Sequence, residues 1–93
     1  MNIEAIMEEY EIEIDDVRWY LSVREAERLV SYTDNTVELA RLIWSGRLEA
    51  SLYHMAERYV DELQDRVDRS FADEAEVHKI MGTILQEREK RRR

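Results

Sequence analysis

The sequence predicts an all-α fold, a compact bundle of four to five helices in a single domain over residues 1–93. Two observations support this prediction. The chain has no proline, only two glycines and 39 % charged residues, a composition typical of helical proteins. Apolar residues also recur three and four positions apart along most of the chain, which is the spacing of one helix face. A chain of this length forms one domain at most.

The first helix is predicted at about 2–13, with an acidic outer face. Only Ile12 falls off the apolar side of its helical wheel. The stretch "YEIEID" also alternates as a strand would, but the helical pattern accounts for more of the apolar residues. That apolar side consists of Ile3, Ile6, Met7, Tyr10 and Ile14.

The second helix is predicted at about 16–32 and has apolar residues on two sides. Val17, Leu21 and Tyr32 lie away from its main stripe, among arginine and glutamate side chains. We predict that these three residues form a small contact surface for a partner protein. The alternative is that they are the scattered surface apolar residues found on most proteins. The main stripe, which we expect to face the core, consists of Trp19, Val23, Ala26 and Val30.

The third helix is predicted at 36–45. Asn35 is a suitable cap, and Glu38 stands in the position of a capping box. Apolar residues cover more than half of the wheel of this helix. Because such a helix is usually buried, we expect it to be the central one.

The fourth and longest helix is predicted at 47–70, after Gly46, a residue type that commonly ends a helix. The positions along the centre of its apolar face follow one another at more than 3.5 residues on average; they are 48, 52, 55, 59, 63 and 67. This spacing favours globular packing over a coiled coil. Its apolar face consists of Leu48, Leu52, Met55, Ala56, Tyr59, Val60, Leu63 and Val67.

The fifth helix is predicted at 74–91, with Asp73 as its cap and Glu76 at the capping-box position. Its apolar residues form one stripe that should bury against the other helices. The members of the stripe are Val77, Ile80, Met81, Ile84 and Leu85.

The basic end of this helix is the clearest functional signal. Residues 87–93 hold five bases and two acids, whereas residues 1–16 hold seven acids and no base, in a chain of net charge −8. We expect the helix to pack up to Leu85 and then to overhang the body of the domain. Three arginines continue its apolar side beyond that point: Arg88, Arg91 and Arg92.

We predict that the basic end binds a partner through Arg88, Arg91, Arg92 and Arg93. Three interpretations stay open. The bases complement the helix macrodipole. They pair with the acidic residues 8–16, within one chain or across a two-fold dimer. Or they meet a separate acidic partner, protein or nucleic acid.

The sequence predicts no catalytic, metal-binding or cofactor-binding residues. There is no cysteine, no glycine-rich phosphate loop, and no serine at a suggestive spacing from a histidine. His54 is expected on the polar face of the fourth helix, and His78 at the edge of an apolar stripe. We therefore expect a protein that is not an enzyme.

An enzymatic alternative comes from four carboxylates. All-α nucleotide pyrophosphatases of the MazG type hold Mg²⁺ with an E-x-x-E motif followed by E-x-x-D. Glu8 and Glu11, then Glu62 and Asp65, resemble those motifs, but the interval of 50 residues between the pairs is too long for that family. The alternative is thus a small metal-dependent nucleotide hydrolase. A weak nucleic-acid accessory protein acting through the basic end is another.

The leading hypothesis is a non-enzymatic protein–protein interaction module or a small subunit of an assembly. A small core makes self-association a common way to gain stability, so the expected partner is a protein, or the chain itself as a homodimer. Nucleic acid is an unexpected partner for a chain of net charge −8. No apolar run is long enough to cross a membrane, and the acidic N-terminal residues favour a cytoplasmic location.

Overall fold

A computed structural model of the chain describes residues 2–30, 35–45 and 49–91. These residues form five helices and no strand, so the all-α prediction is confirmed. The bundle measures 39 × 23 × 22 Å, and α2 packs against α3, α4 and α5. The helices in chain order are α1 (Ile3–Glu9), α2 (Ile14–Arg28), α3 (Thr36–Ser45), α4 (Glu49–Arg69) and α5 (Phe71–Arg91).

The apolar interior is divided into two clusters. The larger one joins α1, α2, α4 and α5 around fully buried side chains such as Ile6, Leu63 and Met81. The smaller one joins α2 to α3 through Trp19 and Ala40. The bundle is therefore organised around α2, the helix that contributes to both clusters.

The prediction that helix 36–45 is central is wrong, although its bounds are confirmed. Within α3, which the structure describes in full, only Ala40 is buried, and Leu42 is 63 % exposed. The helix is apolar nearly all round, but it packs chiefly against α2 and so covers one side only. A helical wheel counts apolar residues and carries no information about how many neighbours a helix has.

α1 ends at Glu9, earlier than predicted, and the turn that follows explains the position of Ile12. Glu11 adopts a left-handed conformation with φ 56°. The Ile12 N–H then bonds to the Met7 carbonyl at 2.8 Å, the 6→1 bond of a Schellman motif. The chain reverses here, so Ile12 turns into the core and is 5 % exposed.

Replacing Glu11 with glycine should stabilise the protein. A residue with a side chain costs about 1 kcal/mol in the left-handed region, and glycine avoids this cost. Glycine loses more backbone entropy on folding, which offsets part of the gain. We expect the free energy of unfolding to rise by about 0.5 kcal/mol, as measured by thermal unfolding followed by circular dichroism. Glu9→Gly, inside the last turn of α1, is the matched control and should lower stability by about 0.5–1 kcal/mol. A loss of stability in Glu11→Gly as well would contradict this account of the turn.

The caps of the later helices are partly as predicted. The Glu38 N–H donates to the side-chain oxygen of Asn35 at 3.0 Å, so the predicted cap of α3 is confirmed. The predicted cap of α5 is wrong, because the Asp73 N–H donates to Ser70 Oγ at 3.1 Å. Asp73 thus lies in the first turn, and Ser70 caps the helix directly after α4 ends at Arg69.

α4 and α5 form most of the larger cluster. Leu52 and Ala56 are buried as predicted, but Met55 is 45 % exposed, which corrects its assignment to the core. The predicted helix start at 47, with Gly46 and Leu48, lies outside the described residues. The apolar stripe of α5 is confirmed: three members are buried, and the other two pack half-buried against them. Buried are Val77, Met81 and Ile84; half-buried are Ile80 and Leu85.

Candidate interaction site

The basic end of α5 is anchored to the start of α2. Arg88 Nη1 lies 3.5 Å from Asp16 Oδ2, and Arg91 Nη2 lies 3.2 Å from Asp16 Oδ1. Arg88 also donates to the backbone carbonyl of Glu11. The same Asp16 carboxylate accepts the Glu13 N–H at 2.9 Å and so holds the first turn of α2. Since Asp16 is 4 % exposed, one buried carboxylate serves two cations and one backbone donor.

The predicted overhang of the last helix beyond Leu85 is therefore wrong. Arg88 is only 9 % exposed, so its long side chain lies inside the domain and is unavailable to a partner. The reason is that a buried guanidinium needs a carboxylate, and the first turn of α2 supplies that of Asp16. Arg91 is half-buried in the same contact, whereas Arg92 and Arg93 lie outside the described residues. Of the interpretations that the sequence left open, the structure shows the second: the basic end pairs with the acidic residues 8–16 within one chain.

Arginine and tryptophan side chains stack beside this anchor. The Arg18 guanidinium lies 4.5 Å from the centre of the Trp44 ring, and that of Arg91 lies 5.5 Å from it. The Trp19 and Trp44 rings meet edge to face at 6.0 Å. Trp19 Nε1 also donates to the Glu87 carbonyl at 2.7 Å. These contacts join α2, α3 and α5 and have a structural role.

The three residues of the second predicted contact surface differ in where they lie. Val17 has no exposed surface and belongs to the larger core cluster, so its assignment to a contact surface is wrong. It is buried because α2 is enclosed on several sides at its N-terminal half. Tyr32 lies outside the described residues. Leu21 is half-buried and lines a groove between α2 and α4.

We call this feature the α2–α4 groove. It encloses about 290 Å³ and is open to solvent. Met55, 45 % exposed, and half-buried Leu21 and Tyr59 form its apolar part. Five residues line the groove: Leu21, Met55, Arg58, Tyr59 and Glu62.

A pair of aromatic rings, tilted by 48° to each other, borders the α2–α4 groove. The rings of Tyr20 and Tyr59 lie 6.1 Å apart, and the guanidinium of Arg24 lies 5.7 Å from the centre of the Tyr20 ring. Burial, with a smaller contribution from Tyr20, raises the pKa of Tyr59 to about 12, against the opposing effect of Arg24. The Tyr59 hydroxyl is thus already partly desolvated at the edge of an open groove.

The charge around the α2–α4 groove is positive. Arg24 and Arg58 are exposed, and Arg66 is close enough to Tyr59 to oppose the rise in its pKa. Among the residues that the structure describes, none of these three arginines forms an ion pair. Glu62 is the acid that lines the groove. In a chain of net charge −8, this surface is locally cationic.

A second groove, which we call the α1 groove, has the opposite charge. It encloses about 420 Å³ where α1 turns into α2, with Met7 and Ile12 as its floor. Glutamates form its rim, and within the described parts of the chain none of them forms an ion pair. They are Glu4, Glu8, Glu11 and Glu13.

A third and larger cleft lies at the start of α3 and encloses about 700 Å³. Arg41 and Lys90 line it, but so does Glu38, so its charge is mixed. Asn35 and Glu38 already serve as the cap of α3. Two bases and one acid thus line the cleft, and one of the bases, Lys90, is already paired with Glu87 at 3.3 Å.

The carboxylates of the hydrolase alternative lie in separate places. Glu8 and Glu11 line the α1 groove, whereas Glu62 lines the α2–α4 groove. The described residues contain no group of three or more histidine, cysteine, aspartate or glutamate side chains placed to hold a metal ion. His54 is exposed on α4, with Nδ1 3.6 Å from Glu57, and Nδ1 of half-buried His78 lies 3.0 Å from the Tyr10 hydroxyl.

The sequence predicted Leu21, which lines the α2–α4 groove, as a contact residue, but it did not predict that Met55 and Tyr59 would be accessible there. Both were assigned to the buried face of the fourth helix because they fit its apolar pattern. The width of that apolar face was the signal that could have indicated their exposure. An apolar arc of about 140° exceeds what one flanking helix covers, so residues at its edge stay accessible.

None of the helices within the described ranges is long and apolar enough to cross a membrane. Compared with protein-family models, with curated proteins and with solved structures, the chain shows no match.

Proposed function

We propose that this protein is a non-enzymatic protein-interaction module that associates with itself. The observation that carries the proposal is the α2–α4 groove, where exposed Met55 stands beside half-buried Leu21 and Tyr59. Arg24 and Arg58 border this apolar surface without an ion pair to any other described residue. Methionine, tyrosine and arginine are the residue types enriched at the centre of protein interfaces.

The energetics of this surface suit a contact. Tyr59 is already held by Tyr20, and Arg24 stacks on the Tyr20 ring, so a partner immobilises few free side chains. Met55 has 45 % of its surface still in water, and covering it would gain about 1 kcal/mol. A few central side chains of this kind commonly supply most of the binding energy of an interface.

Self-association also fits the size of the domain. A chain of 93 residues buries only about 60–65 % of the surface of its unfolded state, so its stability margin is small. Association of folded copies stabilises each of them by mass action. A second copy is therefore the simplest partner to test first.

Met55→Asp should abolish self-association of the protein. The substitution places a carboxylate in the apolar part of the α2–α4 groove, where it would be desolvated on contact without a designed partner. We expect the dimer dissociation constant to rise at least about 100-fold, while the monomer stays folded. The measurement is mass by light scattering across a range of concentrations, with circular dichroism to confirm folding.

Leu42→Asp is the matched control for this experiment. Leu42 is an exposed apolar residue of α3, 63 % exposed, and it lies outside the α2–α4 groove. Its variant should associate as the natural chain does. A natural chain that stays monomeric at the highest concentrations would overturn the proposal, and so would equal effects of the two substitutions.

A further inference from the structure

The two charged grooves point to a specific mode of association. We propose that the α2–α4 groove of one copy receives the α1 groove of a second copy, and that a two-fold axis repeats this contact. This inference rests on the proposed function, because it names the surface that covers the α2–α4 groove. It does not follow from that function, since the α2–α4 groove could equally pair with itself.

The charges of the two grooves are complementary. Arg58 and Glu62 line the α2–α4 groove, and two further cations, Arg24 and Arg66, lie close enough to its Tyr59 to oppose the rise in the pKa of that residue. The rim of the α1 groove carries four glutamates and no base. Since none of these arginines or rim glutamates has an ion-pair partner among the described residues, each groove can neutralise the other without breaking an existing contact. Two α2–α4 grooves brought together would instead oppose arginine to arginine.

Among the described residues, the glutamates of the α1 groove remain unpaired because the arginines at the end of α5 bind a different, buried acid. Asp16 is held by Arg88 and Arg91 inside its own chain. The basic end of α5 is anchored by that contact, and its Arg88 also bonds to the Glu11 backbone carbonyl rather than to a rim carboxylate. The glutamates of the rim therefore still face solvent, with like charges close together, and a cationic surface would relieve their repulsion.

The apolar parts of the grooves also match. The floor of the α1 groove is formed by Met7 and Ile12, each less than 10 % exposed, behind the glutamate rim. Met55 is the most exposed apolar side chain of the α2–α4 groove and is flanked by Arg58. Its flexible thioether side chain suits insertion into an irregular concave surface. The contact then has an apolar centre and a charged rim, as protein interfaces do.

Two-fold symmetry makes the arrangement closed. Each copy has one groove of each kind, so a dimer forms two identical contacts and leaves neither groove uncovered. A stable dimer needs about 800 Å² from each partner, and two contacts supply that more readily than one. The rim charges should chiefly raise the association rate and fix the orientation.

The test uses two charge-reversed variants of the full chain. In the groove variant, Arg24→Glu and Arg58→Glu make the α2–α4 groove acidic. In the α1 variant, Glu4→Lys, Glu8→Lys and Glu11→Lys leave three bases and one acid on the rim and make it basic. Each variant alone then opposes like charges and should associate at least about tenfold more weakly than the natural chain. An equimolar mixture opposes unlike charges at both contacts, so the mixture should form a one-to-one heterodimer.

A third variant controls for net charge. Glu57→Lys, Asp61→Lys and Glu76→Lys together change the net charge by as much as the α1 variant does, at exposed positions of α4 and α5 that line neither groove. This variant should associate as the natural chain does. Light scattering and native mass spectrometry measure the masses, and circular dichroism confirms that each variant folds.

The possible outcomes separate this inference from the proposed function. Loss of association in the groove variant alone, with the α1 variant unchanged, would overturn the inference and leave the α2–α4 groove as a self-associating surface. A mixture that stays monomeric would overturn it too. If neither variant weakens association, the inference fails, and the Met55→Asp result decides the proposed function. A natural chain that is always monomeric would overturn both.

Discussion

Replacing Asp16 with alanine is expected to lower the free energy of unfolding by about 3 kcal/mol. The substitution removes the carboxylate that Arg88 and Arg91 share and the acceptor of the Glu13 N–H. Arg88 is 9 % exposed, so its charge would remain buried without a counter-ion. Breaking a buried pair by deleting one member costs more than the pair contributes, because the remaining charge keeps its desolvation penalty.

The size of this effect is large for such a domain. A protein of about this length has a free energy of unfolding of roughly 5–14 kcal/mol, so the variant would lose a substantial fraction of it. Urea unfolding followed by circular dichroism measures the change. Asp61→Ala, at an exposed position of α4, is the matched control and should change stability by less than about 0.5 kcal/mol.

A second substitution separates the buried charge from the lost cap. In the double variant Asp16→Ala with Arg88→Met, the buried guanidinium is replaced by an apolar side chain. We expect the double variant to be more stable than Asp16→Ala alone, because an apolar side chain at position 88 requires no counter-ion. If Asp16→Ala alone changes stability by less than about 0.5 kcal/mol, the anchor between α2 and α5 has no energetic importance.

Trp19→Ala is expected to be at least as destabilising, by about 3–5 kcal/mol. Trp19 is 1 % exposed and fills the cluster that joins α2 to α3. Its ring meets that of Trp44 edge to face, and its indole N–H bonds to the Glu87 carbonyl. The alanine variant leaves a large cavity between three helices, and the surroundings can collapse into it only partly.

Two further variants resolve the contributions to the Trp19 effect. Trp19→Phe keeps an aromatic ring but loses the bond to Glu87, so we expect a loss of about 1–2 kcal/mol. Trp44→Ala, at a half-buried position, should cost less than Trp19→Ala. Trp44 is the one tryptophan left in the Trp19 variants, so its fluorescence follows their unfolding in urea. A smaller loss in Trp19→Ala than in Trp44→Ala would contradict the central position assigned to α2.

The helices themselves were largely predictable from the sequence. The bounds of α3, its Asn35 cap and the buried stripe of α5 agree with the prediction. Each of these features depends on residues within a few positions of one another. Caps, turn formation and the 3.6-residue repeat are local, so a single sequence contains the information that determines them.

Several features that bear on the candidate site were not predictable in the same way. The end of α1 depends on Glu11 adopting a left-handed conformation, which is uncommon for a residue other than glycine, asparagine or aspartate. The exposure of Met55 depends on where α2 crosses α4. In both cases the apolar pattern alone is equally compatible with a structure that the chain does not adopt, namely a longer first helix and a buried Met55.

The sequence by itself determined the helical class, the order of the helices and most of their apolar faces. The tertiary structure alone decided that α2 is central, that Val17 is buried, and that the basic end turns inward to Asp16. The physical reason is distance along the chain. Helix formation needs hydrogen bonds between residues four apart, whereas Asp16 and Arg88 are 72 residues apart and meet only when the bundle closes.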